Sequence, residues 1–197
     1  MLIGLYALAQ SGKDTVCKML EPYAFTVKRV AFADLLKDSV CALFGITREQ
    51  VEEWKVDPTV RVMITKTARI DGPTDVLASM TFREFLQRYG TESHRDIFGE
   101  DFWLERALPL HRIYGGKEVL YLVTDVRFDN EMRFIRELGG VIVRIDRWAE
   151  NPMAHHASEQ VGESKHVTHV ISNKGTLDDL RTEVDRVAKE LGLTKVE

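Results

Sequence analysis

Five short, mainly apolar runs punctuate the chain, at Leu2–Leu8, Val27–Phe32, Val119–Thr124, Val141–Ile145 and Val167–Ile171, each rich in branched side chains. Their brevity and lack of alternation suit strands covered on both faces, the environment of a parallel sheet. Between them the apolar positions recur with a helical period. Helices are predicted from Lys13 to about Glu21, from Ala33 to about Phe44, and from the capping pattern Thr47–Gln50 to about Trp54. Thr81–Glu84 repeats that pattern ahead of Phe82, Phe85, Leu86 and Tyr89, which share one helical face that Gly90 should end. Further helices are expected from Glu100 to Arg112, kinked or ended by Pro109, and from Asn130 to Leu138, stopped by Gly139-Gly140. The last runs from Thr176, with Asp179 three places on, to Leu191. Strands alternating with helices predict an α/β fold: a five-stranded parallel sheet with helices on both faces, in three layers.

Two stretches break the alternation. Residues 55–80 contain Pro58, Asp71-Gly72 and Pro73, and residues 148–166 contain Asn151-Pro152 and several histidines. Long connections without a core pattern are commonly lids or binding loops. An ordinary surface excursion is the alternative for the first, where Val60, Val62 and Ile64 alternate as in a small hairpin.

At 197 residues and 44% hydrophobic content, the chain is expected to form a single domain, residues 1–197, with a sizeable core. A net charge of −4 argues against binding a nucleic-acid polymer, which takes a basic surface, so any nucleotide partner should be a small molecule. No apolar run approaches the roughly 20 residues that span a bilayer, and Lys13 and Asp14 interrupt the first run too early for a signal peptide. A cytoplasmic protein without a membrane partner is the expectation. Cys17 and Cys41 fall on different predicted helices without metal-ligand spacing and read as reduced core thiols.

The chemistry concentrates first at LIGLYALAQSGKDT, residues 2–15, where an apolar strand runs into small residues and a Gly-Lys pair that open a helix. That layout turns successive backbone N–H groups, from Ala9, Gln10, Ser11, Gly12 and Lys13 to Asp14, toward one anion. Lys13 would reach the β and γ phosphates of ATP. The pattern departs from GxxxxGK[ST] twice: Ala7 stands at the first glycine, and Asp14 stands where a metal-binding hydroxyl normally follows the lysine. Asp14 could hold Mg2+ through water or orient Lys13, and Thr15 could supply the hydroxyl instead. Asp125 ends a strongly apolar strand, on the edge where open α/β sheets bind ligands, and could hold Mg2+ or a water on it. Arg127 could grip a phosphate with its planar fork, while Asn130 and Glu131 read better as a helix cap. His155, His156, His166 and His169 match no zinc spacing.

Taken in order, SGKDT, AFADLLK (31–37), LQRYGTESHRDIFGEDFW (86–103), TDVRFDNE (124–131), the segment Gly139–Arg147 and SNKGTLDDL (172–180) resemble bacteriophage-type deoxynucleoside monophosphate kinases over nearly the whole chain. The resemblance implies a P-loop kinase fold and transfer of the ATP γ-phosphoryl, with Mg2+, to a deoxynucleotide 5′-phosphate. It implies that Asp34 and Lys37 begin the monophosphate-binding region, although Lys37 also reads as a solvated helix residue. It implies that Arg95 and Trp103 contact the acceptor's phosphate and its base or sugar, although Trp103 also reads as core. Residues 55–80 become a substrate-side insertion and 147–166 a lid. Arg147, more than Arg144 within its strand pattern, would swing in on the transferring phosphoryl, joining Lys13, Asp125 and Arg127 as the catalytic set. Asn173-Lys174-Gly175 would pass the adenine, or form a simple turn capped by Thr176. Such kinases are often homodimers. The residues leave the preferred base open, and two rivals remain: another small-molecule P-loop kinase, of the dephospho-coenzyme A or phosphomevalonate type, and an ATP-binding regulatory module.

Overall fold

The computed structural model describes residues 1–8, 11–67, 74–108, 119–147 and 164–196. In chain order its elements are β1 (Leu2–Tyr6), α1 (Lys13–Leu20), a 3-10 turn (Glu21–Tyr23), β2 (Thr26–Val30), α2 (Phe32–Phe44), α3 (Arg48–Val56), β3 (Arg61–Thr67), β4 (Thr74–Thr81), α4 (Phe82–Gly90), a π turn (Thr91–Arg95), α5 (Asp96–Phe98), α6 (Phe102–Ala107), β5 (Val119–Val126), α7 (Asp129–Glu137), β6 (Val141–Asp146), β7 (His169–Ser172) and α8 (Leu177–Glu190). Two compact units result: Met1–Phe32 with Leu104–Glu197, and Ala33–Trp103.

In the first unit the five apolar runs pair in the order β2-β5-β1-β6-β7, all parallel. β1 lies at the centre and every one of its residues is buried, which explains why it carries no polar alternation. Its side chains still alternate between faces. Ile3 and Leu5 pack with Val16, Cys17 and Leu20 of α1 and Leu180, Val184 and Val187 of α8. Leu2 and Tyr6 pack on the other face with Met132 and Ile135 of α7, Leu104 and Leu108. This is the three-layer arrangement expected from the pattern, and each fully buried Leu or Ile in it contributes about 1.5–3 kcal/mol. Because β1 pairs with β5 on one side and β6 on the other, the chain leaves all three strands on the same edge of the sheet, around Leu8, Asp125 and Arg147.

The second unit holds the antiparallel hairpin β3–β4, paired from Arg61 opposite Thr81 to Thr67 opposite Thr74. Asp71, Gly72 and Pro73 lie outside the described residues. Its core is Val40, Val51, Phe82 and Leu86, with Trp54 edge-on to Phe82 at 5.4 Å between ring centroids. Thr47 with Gln50, and Thr81 with Glu84, form the predicted capping boxes: each threonine hydroxyl accepts from the third residue's N–H, and that residue's side chain accepts from the threonine N–H. Thr176 with Asp179 does the same for α8.

Gly90 ends the α-helix as the sequence suggests, but without a left-handed glycine cap. It sits in helical conformation, φ −71° and ψ −38°, and the chain runs on through the π turn to Gly99, whose φ is +103°. The reason is packing: a Cβ on Gly90 would meet Leu36 Cδ1 at 2.7 Å, so the glycine serves a close approach instead of a left-handed cap. The helix expected from Glu100 begins at Phe102, and its predicted end at Pro109–Arg112 lies outside the described residues. Among the described residues no helix is long and apolar enough to cross a membrane.

Candidate functional site

β1 delivers the chain into the glycine-lysine turn, of which Ala9 and Gln10 lie outside the described residues. Gly12 adopts φ +91°, the left-handed region that glycine enters without strain, and so turns the chain into α1. Lys13 is the first residue of that helix. Its Nζ folds back to donate to the carbonyl oxygens of Ala7 at 3.1 Å and Leu8 at 2.8 Å. Burial pushes the Lys13 pKa below its ordinary 10.5; the Arg127 guanidinium pushes the same way, while Asp14 and Asp125 oppose it. An ammonium held half-buried beside a second cation would be stabilised by added negative charge. Ser11, 2% exposed, has no hydrogen-bond partner for its hydroxyl among the described residues. One turn into α1, burial raises the Cys17 thiol to about 11, so it stays protonated and reads as core.

Asp125 and Arg127 stand at the neighbouring strand end, where Val126 pairs with Tyr6. Asp125 Oδ1 accepts the Phe32 N–H at 2.9 Å. Arg127 is exposed, and its backbone is fixed by Glu131, only 3% exposed, whose Oε2 accepts the N–H of Arg127 at 2.7 Å and of Phe128 at 3.1 Å. The cap read from the sequence for Glu131 is therefore also what orients the Arg127 peptide. Asp14 has an 88% exposed carboxylate, 3.7 Å from Arg29 Nη1 on β2. Thr15 is half-buried on the first turn of α1.

On the other side of β1, a cavity of about 290 Å³ opens among Leu8, Ser11, Arg144, Ile145, Asp146, Arg147 and Lys174. Arg144 Nε lies 2.8 Å from Asp146 Oδ1, which commits this cation to its own strand. Asn173 reaches across: its Nδ2 donates to the Ser11 carbonyl at 2.8 Å, and its backbone N–H donates to the Asp146 carbonyl at 2.7 Å. Ser11, Gly12, Lys13, Arg147, Asn173 and Lys174 thus share one edge of the sheet with Asp125 and Arg127. Gly175 follows in the same loop ahead of the Thr176 cap. His166 Nε2 lies 3.4 Å from Asp129 and His169 Nδ1 lies 2.9 Å from the Thr168 hydroxyl. His155, His156 and nearly all of the expected lid lie outside the described residues, and among those described no three His, Cys, Asp or Glu side chains gather as metal ligands.

The remaining candidates belong to the second unit. Asp34 is paired with Arg48, which also donates to the Asp34 carbonyl at 3.1 Å. Lys37 is paired with Glu52; burial raises that carboxyl, but hydrogen bonds from Lys37 and Lys55 outweigh it and hold the group at about 2. Trp103 is 6% exposed, and its indole N–H donates to the Gly90 carbonyl at 3.1 Å, within a cluster of His94, Phe98 and Phe102. Arg95 ends the π turn, half-buried. The sequence reading missed Arg48 and the Asn173 amide contact. The only signal for the first was its place just after the Thr47 cap; the second bridges 162 positions and left none.

A family model described as deoxynucleotide monophosphate kinase matches residues 34–184. A putative deoxynucleotide monophosphate kinase of Acanthamoeba polyphaga mimivirus is 30% identical over 196 residues, covering 93% of this chain and 94% of its own. The deoxynucleoside-5′-monophosphate kinase of Escherichia phage T5 is 24% identical over 238 residues, with the same coverage of 93% and 94%. Among solved structures, TT1252 from Thermus thermophilus aligns with a TM-score of 0.50 at 16% identity over 97% of each chain, a likeness of fold.

Proposed function

Because the chain belongs to the deoxynucleotide monophosphate kinase family, we propose that it transfers the γ-phosphoryl group of ATP to the 5′-phosphate of a deoxynucleoside monophosphate, giving the diphosphate and ADP. Kinase activity and the use of ATP go with the family. The observation that carries the assignment to particular residues is Lys13: a half-buried ammonium with a depressed pKa, at the mouth of a left-handed glycine turn and within charge range of Arg127 and Asp125. In the reaction the bond between the γ-phosphorus and the β,γ-bridging oxygen breaks as an acceptor phosphate oxygen bonds to that phosphorus. The protein's part is to position both and to neutralise the charge that moves.

Lys13 and the N–H groups of residues 9–15 hold the ATP tail, and Arg127 binds a transferring or accepting phosphate. Arg147, opening the lid segment 147–166, adds positive charge on closure and helps exclude water. Asn173, Lys174 and Gly175 form the nucleoside side of the ATP site. Asp34, Lys37, Arg95 and Trp103 are assigned to the acceptor by resemblance, within the insertion-bearing part of the chain that includes residues 55–80. The ion pairs of Asp34 and Lys37 and the burial of Trp103 favour a supporting role in the acceptor region for these three, with Arg95 as the phosphate ligand.

Mg2+ takes carboxylate, hydroxyl and phosphate oxygens, and Asp125 and Thr15 are donors of that chemistry, whereas Asp14 is turned to Arg29. Asp125 and Thr15 would hold the ion beside the ATP tail, where it would supply positive charge against the phosphates. A cytoplasmic location, expected from the composition, and a homodimer, expected from the resemblance, complete this reading.

The test is ADP release, coupled to an oxidation readout, with each of the four deoxynucleoside monophosphates, dephospho-coenzyme A and phosphomevalonate. Turnover with one or more deoxynucleotides is expected. Turnover only with a non-nucleotide, or ATP binding without acceptor-dependent turnover, overturns the proposal. Lys13→Ala should abolish most turnover and leave the circular dichroism spectrum unchanged.

A further inference from the structure

Asn173 belongs to the loop between β7 and α8 that the proposed function gives to the nucleoside of ATP, yet its side chain is engaged with the phosphate loop. Nδ2 donates to the Ser11 carbonyl at 2.8 Å while the backbone N–H holds the Asp146 carbonyl at 2.7 Å, so one residue ties the turn after β1 to the end of β6. The packing is tight: a Cβ on Gly12 would lie 2.5 Å from Nδ2. Ser11 is 2% exposed, so its carbonyl has little access to water and depends on this amide.

The consequence follows from peptide geometry. A trans peptide unit is planar, with its C=O and N–H pointing in opposite directions. Holding the Ser11 carbonyl on Asn173 therefore aims the Gly12 N–H away from Asn173, and the left-handed turn at Gly12 then sets the direction of the Lys13 N–H that opens α1. We infer that Asn173 is a positioning residue for the polyphosphate: its amide fixes the Ser11–Gly12 peptide so that the loop presents its N–H groups already oriented, and it joins the base-side loop and the phosphate loop into one mechanical piece. The inference rests on the proposed ATP site and extends it, because it assigns the Asn173 side chain to the phosphates and not to the base.

Calorimetry with two probes separates the alternatives: Mg-ATP, and Mg-tripolyphosphate, which carries the phosphate tail without a nucleoside. Asn173→Ala should weaken both by the same factor, about tenfold, as expected for one lost buried hydrogen bond. Asn173→Asp, which has the same shape but sets an oxygen against the Ser11 carbonyl, should weaken both further. In turnover, KM for ATP should rise with KM for the deoxynucleotide unchanged. Loss of ATP affinity with tripolyphosphate affinity intact would make Asn173 a base contact and overturn the inference, as would wild-type affinity for both probes. In the wild-type chain, one Asn173 side-chain amide proton should exchange slowly with solvent; fast exchange of both also overturns it. Absence of deoxynucleotide turnover in the wild type would refute the proposed function, whereas the two-probe comparison tests the brace by itself.

Discussion

Glu131 offers the sharpest link between stability and catalysis. It is 3% exposed, and a single oxygen, Oε2, accepts both the Arg127 N–H at 2.7 Å and the Phe128 N–H at 3.1 Å. Hydrogen bonds to a charged acceptor contribute about 1.5–3 kcal/mol each, and a carboxylate in the first turn of α7 adds about 0.3–1 kcal/mol through the helix dipole. Glu131→Ala removes all three terms. Because the side chains of Arg127 and Phe128 are exposed, water can reach part of the vacated site, and the cost settles at the low end, about 3 kcal/mol. Glu131→Gln keeps one oxygen for both bonds and loses only charge, about 1–2 kcal/mol. In urea titrations followed at 222 nm, with a slope of about 2 kcal/mol per molar, these become midpoint shifts of about 1.5 M and about 0.7 M. Under conditions where both variants are fully folded, kcat/KM should still fall, further for Ala than for Gln, because the Arg127 peptide has lost its anchor. An alanine variant within about 1 kcal/mol of wild type, or one with full activity, refutes the reasoning.

Three further outcomes are expected. Lys13 has a lowered pKa and bound phosphates favour its charged form, so ATP affinity should be flat near neutral pH and fall as pH rises through that pKa, below the ordinary 10.5; an alkaline limb at or above that value in wild type, or one unmoved by Lys13→Arg, counts against it. Gly12→Ala places a side chain at φ +91° and displaces Asn173, costing about 1–2 kcal/mol for the left-handed residue plus about 1 kcal/mol for the lost amide bond. The second part should vanish in an Asn173→Ala background, and strict additivity in that double-mutant cycle would contradict the contact. Trp103→Phe removes the indole N–H from the Gly90 carbonyl and should cost about 1 kcal/mol in urea titrations with no change in the acceptor KM; a raised KM at unchanged stability would return Trp103 to the nucleotide.

What could be read from the sequence was local. The capping boxes at Thr47, Thr81 and Thr176 each close within three residues, and all three form. The central strands β1, β5 and β6 announced themselves because burial on both faces removes polar alternation, whereas the edge strand β2 is largely exposed, and the edge of the sheet carrying Lys13, Asp125 and Arg127 follows from the strand ends. Gly90 is a mixed case. The helix does end there, but the glycine is present for its close approach to Leu36 and not for a left-handed cap, and the two needs have the same letter. Partners distant in sequence were equally hidden: the pairing of Asp34 with Arg48, the Phe32 N–H on Asp125, and the Asn173 amide on Ser11 depend on how elements meet, which no local pattern encodes.

The strand order has a bearing on how the chain is made. β1 is synthesised before every other strand of its sheet and is apolar throughout, yet both strands that flank it come much later: Leu2 waits for Tyr121 and Ile3 for Val141. Contacts so distant along the chain form slowly, since a long loop must close before any pairing rewards it. This strand is therefore a sticky segment until β5 and β6 have been made, and nascent chains halted before β6 should be captured by chaperones or aggregate.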